Sequence, residues 1–388
     1  MVTLSSAQDA LKSLYLGVVS EQLNTGINPL LAKIQQTTQD VWGKEVIKLA
    51  PYGLNGGIGA GGEEGPLPSA AGNNYAKFVT TLKNLYGTIE ISDKAIRASE
   101  NSAGAFVNLL SQEMDGLLKA SKFNFGRMLY GDGSGKIATV EADSANSTIK
   151  FKVSSVACLL EGMVVDVYSG TSLLGSAKRI VAVDRANRYV VLDSALSAAA
   201  SAGNFLTVQG SKDKEITGLG AIFDTSRSSL YGLSRTGNTW LNPQTYSLTA
   251  AFEMNDLQRA IDDVENISGG EVDFLVCSPE VKRIYLSLAE INRRNVDFMN
   301  LDGGFKSLSY NGIPLVSDRF ITGNECYVLN SKDFKLHQLC DWRWLEGENG
   351  NILRQKAGTP TYTATLVKYA ELICDRPSGQ AKISNITE

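Results

Sequence analysis

The chain reads as an α+β protein organised around one long helix, and three observations predict it. Residues 102–130 contain no proline and hold apolar side chains at steps of three and four. Two strand-like runs, 41–49 and 75–91, flank a long glycine-rich stretch. After the helix the texture changes, and residues 137–209 fall into short β-rich runs divided by turn residues.

The helix comes first because the rest hangs from it. Phe106, Leu110, Met114, Leu117, Phe125 and Met128 form its apolar stripe, with Ser121 filling the gap in the register. Gln112, Asp115, Lys119 and Lys122 take the other side. Ser99, Asn101 and Ser102 offer N-caps, and the glycine cluster at 131–135 stops the helix. At 1.5 Å per residue it is roughly 40 Å long.

Before it, residues 6–24 set Leu11, Leu14, Tyr15, Val18 and Val19 on one helical face, broken at Asn28-Pro29. This segment reads as an arm. The strands at 44–91 read as one long hairpin, tipped by residues 52–68, too rich in glycine to pack a core. An isolated two-stranded hairpin is marginal in water, so it is expected to rest on a neighbouring subunit. Ser92 is placed to cap a short helix over 93–99.

Five runs after the helix (149–153, 163–168, 178–183, 189–192, 205–208) predict a small barrel or sandwich inserted as a unit. Residues 210–247 are loop-rich. Over 248–341, helices at 248–267 and 279–288 alternate with strands, and Asn311-Gly312 marks a hairpin, giving one α/β layer domain. The tail is β again: two hairpin-like runs around 348–350, a long strand at 361–374 and a last one at 381–386.

Bulk properties exclude several function classes. The 388 residues carry 37 basic and 41 acidic side chains, an even balance that argues against a dedicated nucleic-acid groove. Cys158, Cys277, Cys326, Cys340 and Cys374 are odd in number and dispersed, four of them in apolar runs, which predicts buried free thiols in a reducing compartment. No secretory signal and no apolar run of transmembrane length is visible, so a soluble cytosolic product is expected.

Catalytic signatures fail one by one. Residues 57–62 match the dinucleotide fingerprint in letters, but Glu63-Glu64-Gly65-Pro66 follows where a helix N-terminus should hold pyrophosphate. Residues 131–136 lack the first glycine and final hydroxyl of a phosphate loop. His337, the sole histidine, has strand parity opposite to Phe334, Leu336 and Cys340, and is expected at solvent or an interface. A zinc site is excluded on ligand supply. Asp262, Asp263 and Glu265 read as a solvated helix face, and the sequons at Asn146, Asn266 and Asn385 are idle without secretion. No enzyme, cofactor or metal is expected.

In their order these elements resemble the major capsid proteins of tailed bacteriophages, the Hong Kong 97-type fold. YLGVVSEQLNTGINPLLAKI (15–34), FVTTLKNLYGTIEISDKAIRAS (78–99), the long helix with its GDGSG stop, and LYGLSRTGNTWLNP (230–243) carry the resemblance, which spans nearly the whole chain. It implies an N-terminal arm (1–43), an extended loop reaching a neighbour (44–91), a peripheral domain with the spine helix (92–136, connected by 210–247 and closed by 342–388), an inserted β domain (137–209) and an axial domain (248–341). It further implies hexameric and pentameric capsomers of an icosahedral shell, assembled in the bacterial cytoplasm and found in the virion. The implied partners are further copies, a separate scaffolding protein, a portal protein and double-stranded DNA held non-specifically, with no membrane. Gly57, Gly59, Gly62, Glu63, Glu64, Lys77 and Lys83 are placed at the assembly interface. Some relatives crosslink through a loop lysine; no motif marks Lys77 or Lys83, and crosslinking is not expected. An encapsulin-type compartment shares the fold, but the inserted unit and long tip fit a virus better. A hydrolase or ligand-binding protein on 248–341 needs convergent polar groups, and none is visible.

Overall fold

Asn28 opens the described chain by capping a one-turn helix, α1 (Pro29–Lys33). Its Oδ1 accepts from Leu30 N at 2.9 Å and Leu31 N at 3.2 Å, and Pro29 sits where no amide is needed. The computed structural model describes residues 28–65, 67–94, 103–291, 298–300, 306–347 and 350–388. The expected helix over 6–24, the short helix beyond Lys94, the caps at Ser99, Asn101 and Ser102, and the turn at Glu348 and Asn349 lie outside the described residues. So do the side chains of Phe106, Leu110 and Gln112.

The predicted long helix is α2 (Ala103–Met128). Met114, Leu118, Ser121, Phe125 and Met128 are buried on it, while Asp115 and Lys119 are exposed. Leu118 joins the stripe and Leu117 is half-buried at its margin, because a globular helix buries a face wider than a single seam. Leu117 still packs: a Cβ on Gly87 would stand 2.9 Å from its Cδ1, so any larger residue there would push the Leu117 side chain aside.

That strand is β5 (Lys83–Ser92), in a five-stranded sheet. It pairs antiparallel over its whole length with β22 (Thr361–Cys374), from Thr361↔Ser92 to Ala370↔Lys83. On the far side of β22 lie β20 (Phe334–Trp344) and β21 (Arg354–Gln355), end to end. They do not pair with each other, which corrects the expected hairpin around 348–350. A short strand, β1 (Gln35–Thr37), adds parallel to β20.

The expected hairpin at 44–91 also divides. β3 (Glu45–Tyr52) pairs with β4 (Asn74–Thr81), and the stub β2 (Val41–Trp42) completes this three-stranded sheet. Leu82, whose N–H donates to Lys44 O at 2.9 Å, ends it. Everything beyond belongs to β5 and the five-stranded sheet.

The β-rich unit is a closed barrel. β6 (Lys136–Thr139), β11 (Phe205–Val208), β8 (Val164–Ser169), β9 (Ser172–Asp184), β10 (Tyr189–Leu192) and β7 (Lys150–Lys152) follow in that order. A Val140↔Val153 bridge joins the last strand back to the first. Phe151, Val153, Val165, Val167, Ile180, Val190 and Leu206 fill the interior, a core separate from the others. The barrel leaves and re-enters at one point, where Asp213 N donates to Ser134 O at 2.9 Å.

α3 (Leu219–Ile222) packs beneath the end of α2, with Leu219 N donating to Leu129 O at 2.8 Å. A two-stranded turn, β12 (Ser229–Leu230) and β13 (Leu233–Ser234), follows. The last layer is a seven-stranded sheet. In order it contains β14 (Gln244–Ser247), β23 (Ala381–Ser384), β19 (Cys326–Leu329), β15 (Phe274–Cys277), β18 (Ile313–Ser317), β17 (Lys306–Tyr310) and β16 (Phe298–Asn300). The helices α4 (Met254–Ser268) and α5 (Pro279–Ile291) share its core through Leu257, Ile261, Val264, Val281 and Ile284. The hairpin expected at Asn311-Gly312 is present between β17 and β18, both residues at positive φ. Chain order puts β14 in the peripheral connection and β23 among the closing strands, but the two pair in parallel inside this sheet. Their side chains complete its core, with Ile383 fully buried.

Among the described residues no helix is long and apolar enough to cross a membrane. All five cysteines are free; Cys158, Cys277, Cys326 and Cys374 are buried and Cys340 is half-buried.

Candidate assembly surface

Strand alternation divides the β3–β4 hairpin into an inner and an outer face. Val46, Ala50 and Phe78 point inward and are buried, whereas Leu49 and Tyr75 point out and are exposed. The inner face rests on its own subunit. Phe78 packs 5.2 Å from the ring of Tyr231 and 5.8 Å from Trp240, and Tyr52 stacks on Trp240 at 5.1 Å. Lys48 pairs with Asp375 at 2.6 Å. The expectation that this hairpin rests on a neighbouring subunit is therefore corrected for its strands, which lie on their own subunit, because aromatic burial here gains several kcal/mol.

Beyond Gly53 the two legs separate from the body. Asn55 Nδ2 donates to Asn73 Oδ1 at 2.9 Å and closes the base of the tip. Added Cβ atoms would stand 3.1 Å from Ala71 N at Gly57 and 3.1 Å from Pro68 Cγ at Gly59, so these glycines let the legs run close without a ladder. Gly65 N donates to Gly62 O at 3.1 Å, and the turn so formed puts Glu63 and Glu64 at the apex, both exposed. Leu54 (82% exposed), Ile58 (78%) and Leu67 (91%) are exposed on the tip, and Trp42, Leu49 and Tyr75 are exposed on the strands. A run of large apolar side chains left in water along one element marks an interaction surface.

The structure divides the residues placed at the interface from sequence. Gly57, Gly59, Gly62, Glu63 and Glu64 share the tip; Lys77 is exposed on β4. Lys83 stands apart, half-buried on β5, because the hairpin ends before it. The exposed leucines and Ile58 were not singled out in the sequence; apolar residues inside a glycine-rich stretch were the available signal.

The buried polar groups are structural. His337 is fully buried, contrary to its expected exposure, because the segment leading from β1 to β3 crosses that face of β20. Its Nδ1 lies 2.9 Å from the Gln39 carbonyl, so the proton sits there, and burial pushes its pKa down. Glu371, opposite it in the register, accepts from Thr217 N at 2.6 Å, and burial raises its pKa to about 7. Lys368 Nζ is held 2.6 Å from Asp341 and 2.7 Å from Gln338, over the ring of Phe125. Among the described residues no cluster of three or more His, Cys, Asp or Glu side chains is placed to hold a metal.

No family model matches the chain, and no curated protein matches it. Solved structures do. A chain of the Cyanophage A-1(L) capsid asymmetric unit superposes with a TM-score of 0.55 at 12% identity, over 95% of this chain and 93% of that one. The capsid of Myoviridae phage XM1 gives 0.46 at 9% identity, over 92% and 91%. The SrpI encapsulin of Synechococcus elongatus PCC 7942 gives 0.45 at 10% identity, over 81% and 78%. Across almost its entire length, this chain has the α+β fold of a phage capsid protein.

Proposed function

We propose that this chain is the major capsid protein of a tailed double-stranded DNA bacteriophage. Copies form the hexamers and pentamers of an icosahedral shell, assembled in the host cytoplasm with a separate scaffolding protein and a portal, and retained in the virion around DNA contacted non-specifically. The role is structural and not catalytic. The observation that carries this reading is the shared fold over 95% of the chain.

Within it, α2 is the spine helix and the five-stranded sheet is the peripheral domain. The seven-stranded sheet with α4 and α5 is the axial domain, and the barrel is an inserted domain. The extended loop comprises β3, β4 and the tip between them, ending at Leu82. Support for a reaching arm comes from its outward apolar side chains, which a single subunit leaves in water.

Expression of the full chain, alone and with the proteins encoded beside it, tests the reading by electron microscopy. Closed icosahedral particles are expected. Only monomers or small oligomers under both conditions would overturn it. DNA rather than a cargo enzyme inside particles from the native source separates a virus from an encapsulin-type compartment.

A further inference from the structure

The seven-stranded sheet sets two free thiols against each other. Cys277 on β15 and Cys326 on β19 are direct partners in an antiparallel ladder. Among the described residues, no other two cysteines share a register. The neighbouring hydrogen bonds fix the type of pair. Ser278 N donates to Glu325 O at 3.0 Å, so the position one step on is bonded across the two strands. Pairs alternate along such a ladder, which leaves Cys277 and Cys326 as a non-hydrogen-bonded pair. The Cys277 carbonyl agrees: it turns towards β18 and accepts from Asp318 N at 2.9 Å. Residues paired in this way stand about 4.5 Å apart at Cα with their side chains on one face. That spacing falls within the roughly 4.4–6.8 Å that a disulfide spans.

Both side chains enter the core that the sheet shares with α4 and α5, where they are 0% and 2% exposed. Burial pushes the Cys277 thiol up to about 12 and the Cys326 thiol well above its ordinary value. Both therefore stay protonated and inert while the sheet is closed. Metal binding is not open to them, because among the described residues no third ligand stands by and two thiols leave a metal half-coordinated. The chemistry left to the pair is oxidation to each other. Their place in the strands gives it access: Cys277 is the last residue of β15 and Cys326 the first of β19. Fraying of that end opens the pair without unfolding the sheet.

We infer that Cys277 and Cys326 form a reversible redox latch, in which oxidation joins them by a disulfide that pins β19 to β15. The bond closes a loop of about 50 residues that carries α5, β16, β17 and β18, and so ties off this half of the sheet. A low-molecular-weight disulfide such as oxidised glutathione supplies the oxidising equivalents. One cysteine thiolate attacks it and expels a glutathione thiolate; the other attacks the resulting mixed disulfide and expels the second. The two cysteine protons end on the two released thiols, and two electrons pass to the oxidant. A reducing cytosol keeps the latch open and an oxidising medium closes it. Its timing, open during assembly and closed in the released particle, rests on the capsid reading; the pair itself does not.

The unassembled full chain, purified under reducing conditions, tests the pair. It is exposed to oxidised glutathione in native buffer and in urea below its unfolding transition. Remaining thiols are then blocked and the chain is digested without reductant. Mass spectrometry is expected to find peptides joined through Cys277 and Cys326, two hydrogens lighter than their sum. The linked chain is expected to melt roughly 3 °C or more above the reduced one, and dithiothreitol to reverse the shift. Cys277→Val should remove both the link and the shift, whereas Cys340→Ala should keep them. Thiols at 277 and 326 that stay free in both media would overturn the latch, as would a link that leaves the melting midpoint unchanged. Particles alkylated on release from the native source test the timing, with a closed pair expected there and an open one in subunits from the cytosol. Free thiols in released particles overturn the timing and leave the pair; failure of the chain to form shells removes the capsid reading without touching the link.

Discussion

The ring of Tyr231 stands 5.2 Å from the ring of Phe78, and this contact clamps the β3–β4 hairpin to the body of its own subunit. Tyr231 adopts a positive φ of 50°, rare for an aromatic residue, in the turn between β12 and β13. Its surroundings hold it there. The hydroxyl accepts from Cys374 N at 3.0 Å and donates to Leu372 O at 3.3 Å, while its own carbonyl accepts from Val79 N at 3.0 Å. One side chain thus joins two sheets. Phe78→Ala is expected to cost about 3–5 kcal/mol, and Tyr231→Phe about 1–3 kcal/mol by orphaning the Cys374 amide. Urea denaturation of the unassembled subunit checks both. Losses below ~0.5 kcal/mol would mean that the hairpin strands contribute nothing to folding.

The tip is expected to behave in the opposite way. Replacing residues 54–72 by Asn-Gly removes exposed side chains and almost no backbone bonds. Subunit stability should change by less than about 1 kcal/mol. Shell formation should be lost, leaving subunits or free capsomers by light scattering. A collapse in stability would show the tip folding onto its own subunit.

On α2, Leu118 is buried and Lys119 exposed. Leu118→Asp places an unpaired carboxylate among apolar neighbours and is expected to destabilise by several kcal/mol or to abolish soluble expression. Lys119→Glu should stay within about 0.5 kcal/mol. Equal effects would contradict the assigned face.

The barrel should be removable. Its two ends meet at the Ser134–Asp213 bond and its interior forms a core of its own, although Cys158 from the same unit packs into the core of the body. Replacing residues 137–209 with a short Gly/Ser linker is expected to leave a soluble subunit that retains its helical circular dichroism. Insolubility would show that the body depends on the barrel for folding.

Glu371 makes stability fall on the alkaline side. Its folded pKa of about 7 lies above that of an unfolded glutamate. The folded state therefore holds its proton more tightly, and the stability this provides is present below about pH 4.5 and lost as pH rises towards 7. A shift of this size corresponds to roughly 3 kcal/mol. Glu371→Gln keeps an acceptor for Thr217 N and should flatten the dependence, gaining stability above pH 7. His337, whose pKa is lowered, acts in the opposite sense and loses stability as pH falls below its unfolded value. An unchanged pH profile in Glu371→Gln would show that this carboxyl is already ionised in the fold.

The sequence alone determined what depends on local spacing. The register of α2, the short strands of the barrel, the hairpin at Asn311-Gly312 and the irregular, glycine-rich tip all follow from periodicity and turn chemistry within a few residues. Tertiary structure decided whatever depended on a partner far along the chain. The buried positions change parity between Phe78 on β4 and Leu85, Ile89 and Ile91 on β5, so a break near Leu82 is marked locally; what tertiary structure alone decides is the partner, because β22, more than 250 residues later, claims Lys83–Ser92. His337 has the parity of an exposed residue and is buried because an earlier segment crosses it. β23 reads as a closing strand of the tail, yet it pairs with β19 and β14 in the seven-stranded sheet. Pattern specifies which face of an element is apolar, but only packing specifies which element meets that face.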